Sequence, residues 1–256
     1  LTRWDGEQAR GLPLDCVFKI VNEITRETLD NPVERVLDES RIVKSSYNTL
    51  LIGRDGTEFA IDHSAAPIYA SDRQLIGSIL VFRDITQANT MARQLAWQAS
   101  HDPLTELYNR REFEKRLATA VHSAQNGSIQ HVLCYLDLDQ FKIINDTCGH
   151  AAGDMLLRHI SSLLPTQLRK TDTLARLGGD EFGILLYSCP LEQATQIANV
   201  LRQQINDYRF VWQDKTFTVG VSIGLVEINA ATPSVASVLS AADAACYVAK
   251  NKGRNR

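Results

Sequence analysis

Between residues 47 and 83 short apolar runs alternate with turn signals. The runs 47–53, 58–63 and 75–83 are separated by Arg54-Asp55-Gly56 and by residues 70–73, which hold a Ser-Asp pair. Runs of this length joined by such punctuation predict three antiparallel strands in a meander. Ahead of them, residues 13–24 and 32–39 predict two short helices, the second opened by Asn31-Pro32 in the cap and first-turn positions. Residues 85–100 contain neither Gly nor Pro, and Ile85, Met91, Leu95 and Ala99 recur at near-helical intervals. This spacing predicts a helix, read as a connector between domains or as an ordinary surface helix.

After His101 the texture changes. Residues 130–137 form an apolar strand-like run, 151–164 are helical in period, and 173–177 and 182–187 are short strands around a Gly-Gly turn. Two further helical faces follow, one through Leu191, Ala194, Ile197, Ala198, Leu201 and Ile205, the other from Val235 to Ala249. Residues 216–226 between them predict one strand. The pattern predicts an α+β fold, a sheet containing antiparallel strands with helices packed on it. It divides the chain into residues 1–85, a connecting helix over 86–100, and a second domain over 101–256.

Composition narrows the function classes. A length of 256 residues suits two domains, and 44% hydrophobic residues is ordinary for folded protein. No run approaches the roughly 18 apolar residues of a membrane helix. With 27 Lys+Arg against 30 Asp+Glu, the chain lacks the basic footprint of a nucleic-acid binder. Cys16, Cys134, Cys148, Cys189 and Cys246 are odd in number and widely spaced, which argues against a zinc site or disulfide framework and suits a reducing cytoplasm. Starting at Leu1 with no leader, the chain is read as a piece of a longer protein, whose other segments are the place for any membrane attachment.

The most specific string is Gly178-Gly179-Asp180-Glu181-Phe182, which chance would produce on the order of once per million positions. Two glycines between strands permit positive φ and a close backbone approach to a ligand, with the acids held at the sheet rim. Upstream, Leu136-Asp137-Leu138-Asp139-Gln140-Phe141-Lys142 puts two carboxylates two residues apart at a strand end, hence on one face. Hard oxygen donors of this kind suit Mg²⁺, and Asp137 with Asp180 would form the ligand set for phosphoryl chemistry.

These strings resemble the GGDEF family of diguanylate cyclases over residues 100–256. Further markers are His101-Asp102-Pro103-Leu104-Thr105, Asn145-Asp146, Gly149-His150, Gly153-Asp154 and Lys250-Asn251-Lys252-Gly253-Arg254-Asn255. The resemblance implies a palm-like, nucleotide-cyclase-like sheet on which two GTP condense to cyclic di-GMP with release of two pyrophosphates, in a homodimer. It implies that Asp137, Asp180 and the Leu138 carbonyl bind Mg²⁺, with Mn²⁺ as a substitute. Glu181 would assist deprotonation of the ribose 3′-hydroxyl or complete the metal shell. Asn145 and Asp154 match guanine readers, Lys142, Lys250 and Arg254 match phosphate-binding positions, and Gly178, Gly179 and Phe141 belong to the substrate side, although the Phe141 and Phe182 rings read as packing. Cys246 and Cys148 stand where the family often has Leu and an aromatic residue.

Arg169 and Asp172 form an Arg-x-x-Asp with five residues between it and Gly178; by the resemblance this is the family's inhibitory product site, the alternative being a plain surface Arg–Asp pair, with Arg176 expected to support the same region. Residues 1–85 resemble the later part of a PAS domain, through Leu1-Thr2-Arg3-Trp4, Phe18, the meander and the closing Asp84-Ile85-Thr86. The first strands and helix of such a domain are absent, so either this piece packs incompletely or another chain covers the exposed sheet edge. The form of the 136–142 motif resembles tandem proteins in which an EAL phosphodiesterase domain follows. The leading expectation is an active cyclase with a PAS-type regulatory segment. The alternative is a catalytically silent GGDEF module that binds GTP or cyclic di-GMP and regulates a partner phosphodiesterase domain. A third is a piece inactive only for want of the segments that align its dimer.

Overall fold

The computed structural model describes residues 1–44, 48–127 and 129–256. Tyr47, at the start of the first predicted meander strand, lies outside the described residues. The chain folds as two compact units, Leu1–Leu95 and Ala96–Arg256. No helix among the described residues is long and apolar enough to cross a membrane.

The first unit holds the short helices α1 (Gly6–Ala9) and α2 (Leu14–Val17), β1 (Lys19–Asn22), α3 (Pro32–Glu39), β2 (Val43–Lys44), β3 (Thr49–Ile52), β4 (Glu58–Tyr69) and β5 (Leu75–Asp84). All pairings are antiparallel. β4 is the hub: β3 joins it at Glu58–Ala60, β2 at Ser64 and Ala65, and β5 runs along it. The meander is present with both turns closed as the residues dictate, Asp55 Oδ1 accepting from Thr57 N–H and Asp72 Oδ1 from Gln74 N–H. Asn31 caps α3 through Val33 N–H, with Pro32 in the first turn. The predicted helix over 13–24 is corrected. Only Leu14–Val17 is helical, and Ile20 and Val21 enter β1 opposite Leu51 and Leu50. Cross-strand burial of β-branched residues overrides the local pattern there.

α4 (Thr86–Ser100) follows with no buried residue. In the second unit come β6 (Tyr108–Asn109), α5 (Arg110–Gln125), β7 (His131–Asp139), α6 (Phe141–Cys148), α7 (His150–Leu163), β8 (Thr173–Gly178), β9 (Glu181–Leu186), α8 (Leu191–Asp207), β10 (Arg209–Trp212), β11 (Lys215–Thr218), β12 (Gly220–Ile228) and α9 (Val235–Asn251). The sheet order is β12-β7-β9-β8-β6, antiparallel apart from the parallel β6–β8 pair. Every residue of β7 is buried. Val132, Cys134, Leu136 and Leu138 pack into one core with Leu156, Ile160 and Leu201, while Leu133 and Tyr135 pack into another with Phe113, Leu117 and Val238. The central strand is thus covered on both faces by helices, which is why it reads as a continuous apolar run. The single strand predicted over 216–226 is corrected to two. β11 pairs with β10 in a hairpin, Phe217 opposite Phe210, and β12 pairs with β7 after a break at the buried Val219.

Candidate active site

The signature residues form a hairpin tip. Gly178 pairs with Glu181, leaving Gly179 and Asp180 as the turn, with φ of 150° at Gly178 and 48° at Gly179. Both values lie where a Cβ is strained, so the two glycines are a conformational requirement. Three contacts fix the tip. Leu138 N–H donates to the Asp180 carbonyl at 3.2 Å, which ties the turn to the end of β7. Arg176, its side chain 14% exposed, donates through Nε and Nη2 to the Gly179 carbonyl at 3.0 and 2.9 Å, and through Nη1 to Asp102 Oδ1 at 3.1 Å. Arg110 Nε donates to the Leu177 carbonyl at 2.9 Å and Nη2 to Glu181 at 3.4 Å.

A cleft of about 180 Å³ beside this tip is lined by Asp137, Leu138, Asp139, Gln140, Phe141, Lys142, Asp180, Lys250 and Arg254. The expected metal acids and the three expected phosphate cations therefore converge. Asp137, 8% exposed, accepts from Lys250 Nζ at 2.5 Å. Burial pushes its carboxyl above the ordinary carboxylate range; Lys250 pulls against this, while Asp180 and Glu181 add to it. Burial works against the Lys250 charge, yet the bond to Asp137 leaves that ammonium raised. A buried carboxylate beside two others calls for a cation.

The remaining residues lie outside this cleft. Glu181 lines a neighbouring cavity of about 330 Å³ with Arg110, Glu114, Tyr135 and Asp243. Burial first, then the adjoining Glu181 carboxylate, raises the Tyr135 phenol. Asn145 has a buried Oδ1 with no hydrogen-bond partner, and it abuts Gly153, one residue from the exposed Asp154. Phe141 also closes on Gly153, where a Cβ would stand 2.9 Å from its Cζ, so the ring packs as well as lining the cleft. Arg169 and Asp172 sit before β8, at the opposite end from the signature turn. There Asp172 accepts Arg169 N–H at 2.9 Å and Tyr187 N–H at 3.3 Å, and the Arg169 side chain is exposed. Arg176 does not join them: its guanidinium serves the signature turn. Asp102 and Asn255 lie in sequence markers, but what they do was not legible there: Asp102 braces the Arg176 guanidinium, Arg110 holds the Leu177 carbonyl, and Asn255 donates its main-chain N–H to Asp139.

Residues 99–256 match the diguanylate cyclase, GGDEF domain family, and residues 1–90 match the PAS fold. Sheet, signature turn and acidic cleft agree with that assignment, and the chain belongs to the GGDEF domain family, with a PAS segment before it. It is 41% identical over all 256 of its residues to the probable diguanylate cyclase DgcE of Escherichia coli, spanning 23% of that protein. It is 37% identical over 199 residues to the cyclic di-GMP phosphodiesterase PdeB of Shewanella oneidensis, spanning 22% of it. The crystal structure of the coiled coil and GGDEF domain of DgcB from Caulobacter crescentus, in complex with c-di-GMP, superposes with a TM-score of 0.63 at 29% identity, over 67% of this chain and 91% of that one.

Proposed function

We propose that the chain is a divalent-metal-dependent diguanylate cyclase, joining two GTP into cyclic di-GMP with release of two pyrophosphates. The observation that supports this best is the convergence of Asp137 and Asp180 with Lys142, Lys250 and Arg254 on one cleft. The donor set fits Mg²⁺, or Mn²⁺ in its place: two carboxylates and the Leu138 carbonyl are hard oxygens, and buried Asp137 gains from a cation. When bound, the metal supplies the positive charge that lowers the cost of the attacking alkoxide and the departing pyrophosphate.

The chain's own groups do the rest. Lys142, Lys250 and Arg254 neutralise the triphosphate and hold the α-phosphorus in place. Asn145 and Asp154 read the guanine edge, as an amide and a carboxylate can. Glu181 accepts the proton as the 3′-oxygen of one GTP attacks the α-phosphorus of the other, breaking its bond to pyrophosphate, and a second attack closes the ring. One GTP sits on each copy, so turnover needs a homodimer. The helix over 86–100 would transmit the state of the PAS segment at 1–85 to residues 101–256, and Arg169 with Asp172 would bind product as a brake. An EAL domain in the parent protein is part of the same reading.

One observation favours binding without turnover: Glu181 faces Arg110 and Tyr135 rather than the cleft. Incubation with GTP and Mg²⁺ followed by product chromatography, with and without added cyclic di-GMP, separates the readings. The expected result is cyclic di-GMP formation, abolished by Asp180→Ala and inhibited by product only while Arg169 and Asp172 are intact. Tight GTP binding with no product at high protein concentration would overturn the cyclase reading.

A further inference from the structure

Asp139 lies on the same face of β7 as Asp137 but meets different groups. Its carboxylate is 7% exposed; Oδ1 accepts the Ser222 hydroxyl at 2.8 Å and Oδ2 accepts Asn255 N–H at 2.9 Å. Ser222 is fully buried on the adjacent strand β12. Asn255 belongs to the segment after α9, which turns at Gly253 (φ 112°) and returns along β12. Ile223 N–H donates to the Arg256 carbonyl at 2.8 Å, and Asn255 Nδ2 donates to Asn206 Oδ1 at 3.0 Å. Arg254 and Asn255 hold φ of 60° and 47°, values that residues with a Cβ keep only when their surroundings impose them. Gly220, opposite Asp139 in register, leaves the necessary room. A Cβ there would stand 2.8 Å from Asp139 Oδ2 and 3.2 Å from Asn255 Cβ.

We propose that Asp139 is a positioning residue that seats the Arg254 guanidinium at the nucleotide cleft by fastening the Asn255 amide to the sheet. This rests on reading that cleft as the GTP site. A buried carboxylate must be met by a cation or by hydrogen-bond donors. Asp139 is met by a hydroxyl and a main-chain N–H, so its charge is matched to the tail rather than to a metal. The bond to Asn255 restrains the residue next to Arg254, and so biases a side chain that would otherwise sample many rotamers. Asp139→Asn keeps the shape and an acceptor for Ser222, but it turns an NH₂ toward Asn255 N–H, donor against donor.

The experiment compares Asp139→Asn, Arg254→Ala and the double variant in the full chain by kcat and KM for GTP. Equilibrium binding of a non-hydrolysable GTP analogue with Mg²⁺ and hydrogen exchange at Asn255 complete the comparison. Asp139→Asn should raise KM and the analogue Kd about tenfold, leave kcat within about twofold, and speed exchange at Asn255. Once Arg254 is Ala it should change nothing further, because the two act as one unit. Gly220→Ala, which crowds the same contact from β12, should reproduce the KM rise if Asp139→Asn proves unstable. Independent, multiplying effects of Asp139→Asn and Arg254→Ala, or a loss in kcat alone, would overturn the proposal. A chain that binds the analogue yet makes no cyclic di-GMP from GTP would count against the cyclase reading, and the Kd comparison would still decide the role of Asp139.

Discussion

Arg176→Ala tests how the signature turn is held. The guanidinium bonds the Gly179 carbonyl twice and, through Nη1, both carboxylate oxygens of Asp102, with the side chains 14% and 20% exposed. Removing one partner of a largely buried pair costs about 3–5 kcal/mol, and partial solvent access to Asp102 and Gly179 lowers that figure. We expect about 2–4 kcal/mol for the second unit. In a domain of roughly 150–250 residues each 1 kcal/mol moves Tm by about 2–4 °C, so a fall of about 4–16 °C follows. Calorimetry of the full chain is the assay, the transition of the larger second unit being recognised by its larger enthalpy. Arg176→Lys keeps the charge toward Asp102 but cannot reproduce the fork, and should fall between wild type and Ala. Cyclic di-GMP formation should drop in the same order, because Asp180 follows Gly179. A Tm change below about 1 °C for Arg176→Ala would refute the claim that this contact holds the turn.

Lys250→Met leaves Asp137 buried without its ammonium; the variant should melt lower in EDTA and regain part of the loss on adding Mg²⁺, checked by paired melts. His131 accepts Ser188 N–H at Nδ1 (3.0 Å) and burial lowers its pKa below the ordinary 6.5. The unfolded chain then takes up the proton first, so stability present above pH 6.5 is lost as the pH falls toward the depressed value. Urea midpoints across this range should show that loss, and His131→Asn should flatten it. The Cys134 and Cys246 thiols are pushed up to about 12 by burial, whereas Cys16 is exposed, so an aromatic disulfide reagent should label Cys16 at once and the other two only on unfolding.

Much of this architecture was legible because period and punctuation carry it. The helical faces at 191–207 and 235–251, the Gly-Gly turn and the meander each declare themselves locally. The two corrected elements, residues 13–24 and 216–226, share one physical cause, which is partner choice. Nothing near Ile20 announces that Leu51 lies opposite, and nothing at Val219 announces that the strand stops pairing with β10 and crosses to β7. In the site, the sequence motifs identified the acids and cations that face one another across the cleft. They did not show that Arg110 would hold the Leu177 carbonyl, that Asp102 would brace the Arg176 guanidinium, or that Asp137 and Asp139 would be differently employed. Two equal carboxylates two residues apart differ only in what other strands and the tail bring to them.

β7 and the signature turn give the two acids of the cleft, Asp137 and Asp180, unlike mechanical supports. Asp137 rides on a strand clamped by neighbours on both edges and helices on both faces, the part of the unit that deforms least. Asp180 rides on a two-residue tip held by side-chain bonds from Arg176 and Arg110 and by one main-chain bond from Leu138. The gap between the carboxylates therefore has one fixed jaw and one adjustable jaw. The grip of Arg176 and Arg110 on the Gly179 and Leu177 carbonyls thus bears on that gap directly.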